Sequence, residues 1–331
     1  MQEYTFNSIL DLIETAQKYH LSKKRPRKQI IELFEYNADL EKLFKCIVPL
    51  KKLNELIGMD EVKKNIIDQV LFYTQSLNTN EMMHTCLTGP PGVGKTTLGK
   101  ILAELYCSLG FLKTDNFRVV SRADLVAGYV GQTALKTLKV LNESIGGVLF
   151  IDEAYSLGGG SDESGTSYSK ECIDTINKFL SENTTNFILI VAGYREEMDR
   201  YFFSVNKGLS RRFPWNYEIS NYSVENLINI FIHQVKENNW KFDIDLINDN
   251  YKKLKNIFNE YSELKVFDQN GGDTLVIFDK AKIVHSRRVF GQKRLTKKYL
   301  NDSDIRKSME MLKNIKKKKN KLSEPPFGMY L

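Results

Sequence analysis

The chain has 331 residues, 42% of them hydrophobic and 27% charged, a balance that excludes wholesale disorder and leaves room for two domains. Much of its net charge of +7 sits in two runs, KKRPRK at 23–28 and KNIKKKKNK at 313–321, and the second reads as a solvated, mobile tail. The acidic start does not read as a secretory signal and no apolar run reaches membrane-spanning length; Cys46, Cys86, Cys107 and Cys172 are too scattered for zinc or a disulfide framework, so a reducing cytoplasmic setting is expected.

In chain order, Ile9, Leu10 and Ile13, then Leu33, Phe34, Leu40, Leu43, Phe44 and Ile47 recur at helical spacing, predicting a helical N-terminal region over 1–50. LNELIGMDEVKKNIIDQVLFY resumes the helical register after Gly58, with Val62, Ile66, Ile67, Val70 and Leu71 on one side. Between 82 and 220 the pattern alternates: MMHTCLT, TTLGKILAELY, FRVV, TALKTLKVLNES, GGVLFID, a helix through CIDTINKFL, FILIVAG and a last strand at WNYEI. Unbroken apolar runs such as VLFI and FILIVA suit strands buried on both faces, so an α/β domain with a parallel sheet flanked by helices is expected over 51–220. GGGSDESGTSYSK, following Leu157, has the composition of a flexible loop. Helical periods return in VENLINIFIHQV and DTLVIFDKAKIVHSRRV, predicting a smaller helical domain over 221–331 that ends in the basic tail.

Two motifs carry chemistry. GPPGVGKT, residues 89–96, fits the phosphate-loop pattern and stands between an expected strand and an expected helix, as its mechanism requires. In the loop Gly89, Pro90, Pro91, Gly92, Val93 and Gly94 the glycines let backbone N–H groups turn toward a phosphate, Lys95 reaches the β- and γ-phosphates, and Thr96, followed by Thr97, opens the helix and offers a hydroxyl to Mg²⁺. VLFIDE then ends a buried strand in two carboxylates, Asp152 for the Mg²⁺ shell and Glu153 as general base or water-orienting group for attack on a γ-phosphate. A third feature is local: in DLVAGYVGQT, Tyr129 is held between Gly128 and Gly131, which reads as a loop presenting an aromatic, with burial against its own sheet as the other reading.

With phosphate loop, DE-tipped strand and C-terminal helices in that order, the chain resembles an AAA+ ATPase, a phosphate-loop NTPase with a C-terminal helical lid. LNELIGMDEVKKNI, GPPGVGKTT, LVAGYVGQTALKT, GGVLFIDEAYSL, ILIVAGYREEMDRYF and NKGLSRRF resemble the CbxX/CfqX family, which includes activases of red-type Rubisco and relatives of a sporulation ATPase. The resemblance implies a ring, typically a homo-hexamer. It implies Leu56, Ile57 and Gly58 at the adenine, with helix-start packing as the alternative, and Tyr194 at a sensing position. It implies Arg212 as the finger reaching a neighbour's γ-phosphate, with Arg211 or plain surface charge as alternatives. Tyr129, Val130 and Gly131 correspond to the loop that grips polypeptide in the central pore, and the segment after Leu157 is a candidate second pore loop. Where relatives carry a lid arginine in GNxR, this chain has NGGD with Gly272 at the arginine position; Lys280, Lys282 and Arg287 are the substitutes at hand. The expected activity is ATP-driven remodelling of a protein partner. A nucleic-acid motor, on the strength of the basic runs, and a weakly hydrolysing scaffold are the alternatives.

Overall fold

The computed structural model describes residues 6–22, 38–77, 81–129, 131–158, 163–206, 208–292 and 298–323. Its first compact unit comprises Met1–Gly89 and Gly94–Ser220, its second Pro90–Val93 and Asn221–Leu331. Val130 and the run KKRPRK lie outside the described residues.

The first unit opens with helices α1 (Ile9–Ser22), α2 (Leu40–Lys45), α3 (Ile47–Glu55) and α4 (Asp60–Thr74). The heptad-like spacing of Leu50 and Leu53 in α3 and of Val62, Ile66, Ile67 and Val70 in α4 buries one stripe of each helix. Asp39 caps α2 by accepting from the N–H groups of Glu41 and Lys42 at 3.1 and 3.0 Å. Strand and helix then alternate: β1 (Thr85–Thr88), α5 (Lys95–Ser108), β2 (Phe117–Val120), α6 (Arg122–Leu125), α7 (Thr133–Glu143), β3 (Val148–Ile151), α8 (Glu163–Glu182), β4 (Ile188–Gly193), α9 (Arg195–Glu197) and β5 (Trp215–Glu218).

The five strands form one parallel sheet in the order β2-β3-β4-β1-β5. Alternation along β3 and β4 divides the core. Leu149, Ile151, Leu189 and Val191 face the layer of Val140, Leu141, Cys172, Ile173 and Ile176 from α7 and α8. On the other face Phe150 lies against α5 so closely that a Cβ at Gly99 would stand 2.7 Å from the Phe150 ring, which leaves glycine as the residue that fits there. A buried polar chain pins α4 and α5 to the sheet: the Tyr217 hydroxyl donates to Gln69 at 2.9 Å, and Tyr106 and Thr85 share a hydroxyl pair at 3.0 Å. Because the strands are parallel, the carboxyl ends of β1, β4 and β3 lie side by side at the edge where open α/β sheets place ligands.

The second unit contains α10 (Val224–Glu237), β6 (Lys241–Phe242), α11 (Ile244–Glu263), α12 (Gly271–Val289), β7 (Tyr299–Leu300) and α13 (Asp302–Ser323). Its core joins Leu227, Phe231, Phe258, Phe278, Ile305 and Met309. α11 is broken at Asn248–Tyr251, where Asp249, Asn250 and Tyr251 take left-handed backbone angles.

Two expectations are corrected here. The segment read as a flexible loop after Leu157 is helical from Glu163 onward, because α8 is carried by a buried stripe of Cys172, Ile173, Ile176 and Leu180 that its polar first turns merely extend. The basic run 313–321 lies within α13 and is not a mobile tail, although Asn314, Ile315 and Lys317 in it are exposed. Ile305, Met309 and Leu312 bury one face of that helix, and Lys316 continues the same face with its ammonium 2.6 Å from Asp273 and bonded to Asp268 and the Val266 carbonyl. Among the described residues, no helix is long and apolar enough to cross a membrane.

Candidate functional site

The phosphate-loop motif occupies the turn between β1 and α5. Its first residue extends the sheet, since the Gly89 N–H donates to the Gly193 carbonyl at 3.2 Å. Gly92 and Gly94 take left-handed angles, φ 71° and 90°, flanking the buried Val93. That alternation makes successive N–H groups converge, the geometry of an anion-binding nest. Lys95 opens α5 with its side chain buried and donates to the Gly89 carbonyl at 2.8 Å. Thr96 and Thr97 follow on the exposed side of that first turn.

The carboxylate pair follows β3. Asp152 accepts the Glu153 N–H at 3.1 Å, and Glu153 itself is held in the left-handed region at φ 50°. Such strain in a residue other than glycine persists where surrounding contacts hold it, and it concentrates at working sites. Burial first, and Asp152 second, push the Glu153 carboxyl pKa above its ordinary value. Burial lowers the Lys95 pKa, while Glu153 and Asp152 act against that shift. The three charges therefore share one field.

Two tyrosines join them. The Tyr155 hydroxyl donates to the Glu153 carboxylate, and its ring centroid lies 5.7 Å from that of Tyr194. The Lys95 ammonium stands 5.3 Å from the Tyr194 ring centroid. Burial, then Glu153, Glu197 and Asp152, raise the Tyr194 pKa, so its hydroxyl keeps its proton beside the carboxylates. Lys95, Asp152, Glu153 and Tyr194, all expected from sequence, are thus gathered in the first unit. Tyr155 was missed, although it stands inside GGVLFIDEAYSL.

Other expected residues lie elsewhere. Leu56, Ile57 and Gly58 form the half-buried α3–α4 junction, where Gly58 has φ 69° and Lys63 donates to the Leu56 carbonyl. Arg211 is exposed and Arg212 half-buried in the turn before β5, with the Arg212 Nε enclosed. Tyr129 is 73% exposed, which excludes its packing as a core aromatic. A Cβ at Gly128 or Gly131, the latter at φ 76°, would meet nothing within 4 Å. At Gly272 a Cβ would meet nothing nearer than the Gln269 side chain at 3.8 Å, and Lys282 pairs with Asp279 at 2.6 Å.

Mg²⁺ prefers a few oxygen donors from protein and fills its remaining sites with phosphate oxygens and water. One hydroxyl, Thr96, and one half-buried carboxylate, Asp152, make a donor set of that kind.

A parallel sheet in this order, with a glycine-flanked lysine after β1 and a DE pair after β3, defines a nucleotide-binding phosphate-loop ATPase domain. The profile of the ATPase family associated with various cellular activities (AAA) matches residues 85–221. The chain is 34% identical over 307 residues to the putative cfxQ-like protein R730 of Acanthamoeba polyphaga mimivirus, covering 91% of this chain and 69% of that one. It is 34% identical over 246 residues to stage V sporulation protein K of Bacillus subtilis (strain 168), covering 72% and 74% of the two chains. Among solved structures, the FIGL-1 AAA domain in complex with ADP superposes with a TM-score of 0.57 at 18% identity, over 78% of this chain and 83% of that one. The chain belongs to the AAA ATPase family, among the CfxQ-like proteins and their sporulation relatives.

Proposed function

We propose that this ATPase assembles into a ring, most simply a homo-hexamer, and uses ATP hydrolysis to pull on a polypeptide partner through a central pore. The observation that carries the reading is Tyr129, a large aromatic 73% exposed on a loop where a Cβ at either flanking glycine would meet nothing within 4 Å. An aromatic presented to solvent on such a loop grips polypeptide of any sequence by dispersion and apolar contact. Val130 and Gly131 complete the gripping triplet in this reading.

In the same reading Lys95 leaves the Gly89 carbonyl for the β- and γ-phosphates, with Gly92, Val93 and Gly94 supplying N–H groups, Gly89, Pro90 and Pro91 shaping the turn, and Thr97 flanking them. Thr96 and Asp152 would hold Mg²⁺, which neutralises phosphate charge when bound. Glu153 orients and deprotonates the attacking water, and Tyr155 fixes the direction of its carboxylate. Tyr194 stands beside Lys95 as a sensor of the γ-phosphate; Ile57 and Gly58 flank the adenine. Arg212, or its neighbour Arg211, stabilises transition-state charge across a subunit interface.

The test separates pulling from burning fuel. A Glu153→Gln chain loaded with ATP recovers the partner, which is then fused to a fluorescent reporter domain. With wild-type chain and ATP, the reporter should unfold. Tyr129→Ala should abolish that unfolding while hydrolysis stays within about twofold. Reporter unfolding at the wild-type rate by Tyr129→Ala would overturn the pore reading.

A further inference from the structure

The tip of the phosphate loop, Pro90–Val93, belongs to the same compact unit as residues 221–331. Three consecutive carbonyls of that tip are each met by a donor from this unit. The Asn270 side-chain amide donates to the Pro91 carbonyl at 3.2 Å, and the Gly271 N–H to the Gly92 carbonyl at 3.1 Å. The Tyr222 hydroxyl donates to the Val93 carbonyl at 2.7 Å.

The consequence is geometric. In a trans peptide the C=O of one residue and the N–H of the next point in opposite directions, and this chain has no cis peptide. Holding the carbonyls of Pro91, Gly92 and Val93 from outside therefore turns the N–H groups of Gly92, Val93 and Gly94 the other way, toward the concave side of the nest. A loop rich in glycine has many other orientations open to it, and each wrong one removes a donor from a phosphate.

The donors are themselves built in. Asn270 is 1% exposed and sits at φ 48°, ψ −124°, a conformation that surroundings must impose on a residue other than glycine. Its amide also donates to Asn221 at 3.0 Å, and its carbonyl oxygen accepts the Tyr222 N–H at 2.9 Å. Asn270 and Tyr222 thus hold each other as well as the loop. Farther along, Asp273 accepts the Gln269 N–H at 2.7 Å and the Lys316 ammonium at 2.6 Å, which anchors the start of α12.

We propose that Asn270 and Tyr222 are positioning residues that preset the phosphate loop for its ligand by pinning consecutive carbonyls. This deepens the nucleotide reading above and rests on it: the residues act on the phosphate groups of ADP or ATP through the loop, and they act at a lid lacking the arginine that Gly272 replaces. Their effect belongs to phosphate binding and leaves base and ribose recognition alone.

Calorimetric titration of the full chain with ADP and with adenosine tests this. Tyr222→Phe keeps the ring and removes one donor; it should weaken ADP about three- to tenfold, the worth of one net hydrogen bond, and leave adenosine unchanged. Asn270→Gly, which tolerates the backbone angles, should show the same split more strongly. Tyr261→Phe is the control, because it removes a hydroxyl bond of the same unit, 2.9 Å to Glu310, that does not reach the loop. ADP affinity at the wild-type value in Tyr222→Phe overturns the proposal. Equal weakening of ADP and adenosine also overturns it, since general loosening would then be the cause. A wild-type chain that binds no ADP sinks the nucleotide reading itself and this inference with it. If Asn270→Gly fails to fold, Tyr222→Phe alone decides.

Discussion

Glu153 carries two costs at once. Its backbone is left-handed at φ 50°, and its carboxyl is pushed above the ordinary carboxylate pKa of 4.5 by burial and by Asp152. Between 4.5 and the raised value the folded chain holds a proton that the unfolded chain has released, so stability falls as pH rises through that window and stays lower at neutral pH. A neutral amide at this position escapes the penalty. Glu153→Gln should therefore melt at or above the wild-type temperature at pH 7.5, with the difference shrinking toward pH 4.5, while hydrolysis drops about a hundredfold or more. Melting scans across that range, run beside a phosphate-release assay, check both halves. A variant that melts lower at neutral pH would overturn the burial penalty, and one that hydrolyses like wild type would remove Glu153 from its role as base.

At the scale of elements, the sheet has its own sensor of acid in a residue no motif marked. His84 leads into β1, and its Nδ1 accepts the Leu189 N–H of β4 at 3.1 Å. Burial, and then the nearby Arg212, push its pKa down from 6.5 to about 4. The unfolded chain thus takes up a proton on His84 well before the folded chain does. The stability this contributes is complete above pH 6.5 and drains away as pH falls toward 4. His84→Gln keeps an acceptor for Leu189 and cannot charge. It should cost about 1–2 kcal/mol at neutral pH through poorer packing, yet flatten the melting curve between pH 6.5 and 4 relative to wild type. Parallel curves for the two chains would show that His84 does not control this acid limb.

The same scale shows what the sequence could and could not announce. The strands of the sheet were legible because VLFI and FILIVAG are unbroken apolar runs and because the phosphate loop fixes what precedes and follows it. Helix α13 was not, since Lys313–Lys321 hides its apolar face behind charge, and only the contact of Lys316 with Asp273 and Asp268 reveals why lysine occupies the inner side. The start of α8 was misread for a similar reason: glycine and serine describe local preference, whereas the buried stripe from Cys172 to Leu180 determines the helix. In the site, Lys95, Asp152 and Glu153 announce themselves by motif. Tyr155, Tyr222 and Asn270 act through hydrogen bonds that need coordinates, and no spacing along the chain points to Tyr222 and Asn270 as neighbours.

For the whole molecule, the question is whether one chain completes its own site. Arg212 has its Nε enclosed and its stem half-buried, so its guanidinium gives up less side-chain freedom on reaching across an interface than the exposed Arg211 would. An arginine supplied in trans makes a sharp prediction about mixtures. Glu153→Gln subunits lack a base but carry Arg212; Arg212→Ala subunits carry Glu153 but offer no finger. Each should be inactive alone. In rings assembled at random from equal amounts, about one site in four pairs an intact base with an intact finger, so about a quarter of the wild-type rate should return on mixing. If Arg212 instead served its own subunit, no site in the mixture would be complete and activity would stay at the level of the separate variants. Recovery with Arg211→Ala in place of Arg212→Ala would move the finger by one residue. Mixed and unmixed variants compared at fixed total protein, with ring size followed by light scattering in the presence of ATP, distinguish the three cases.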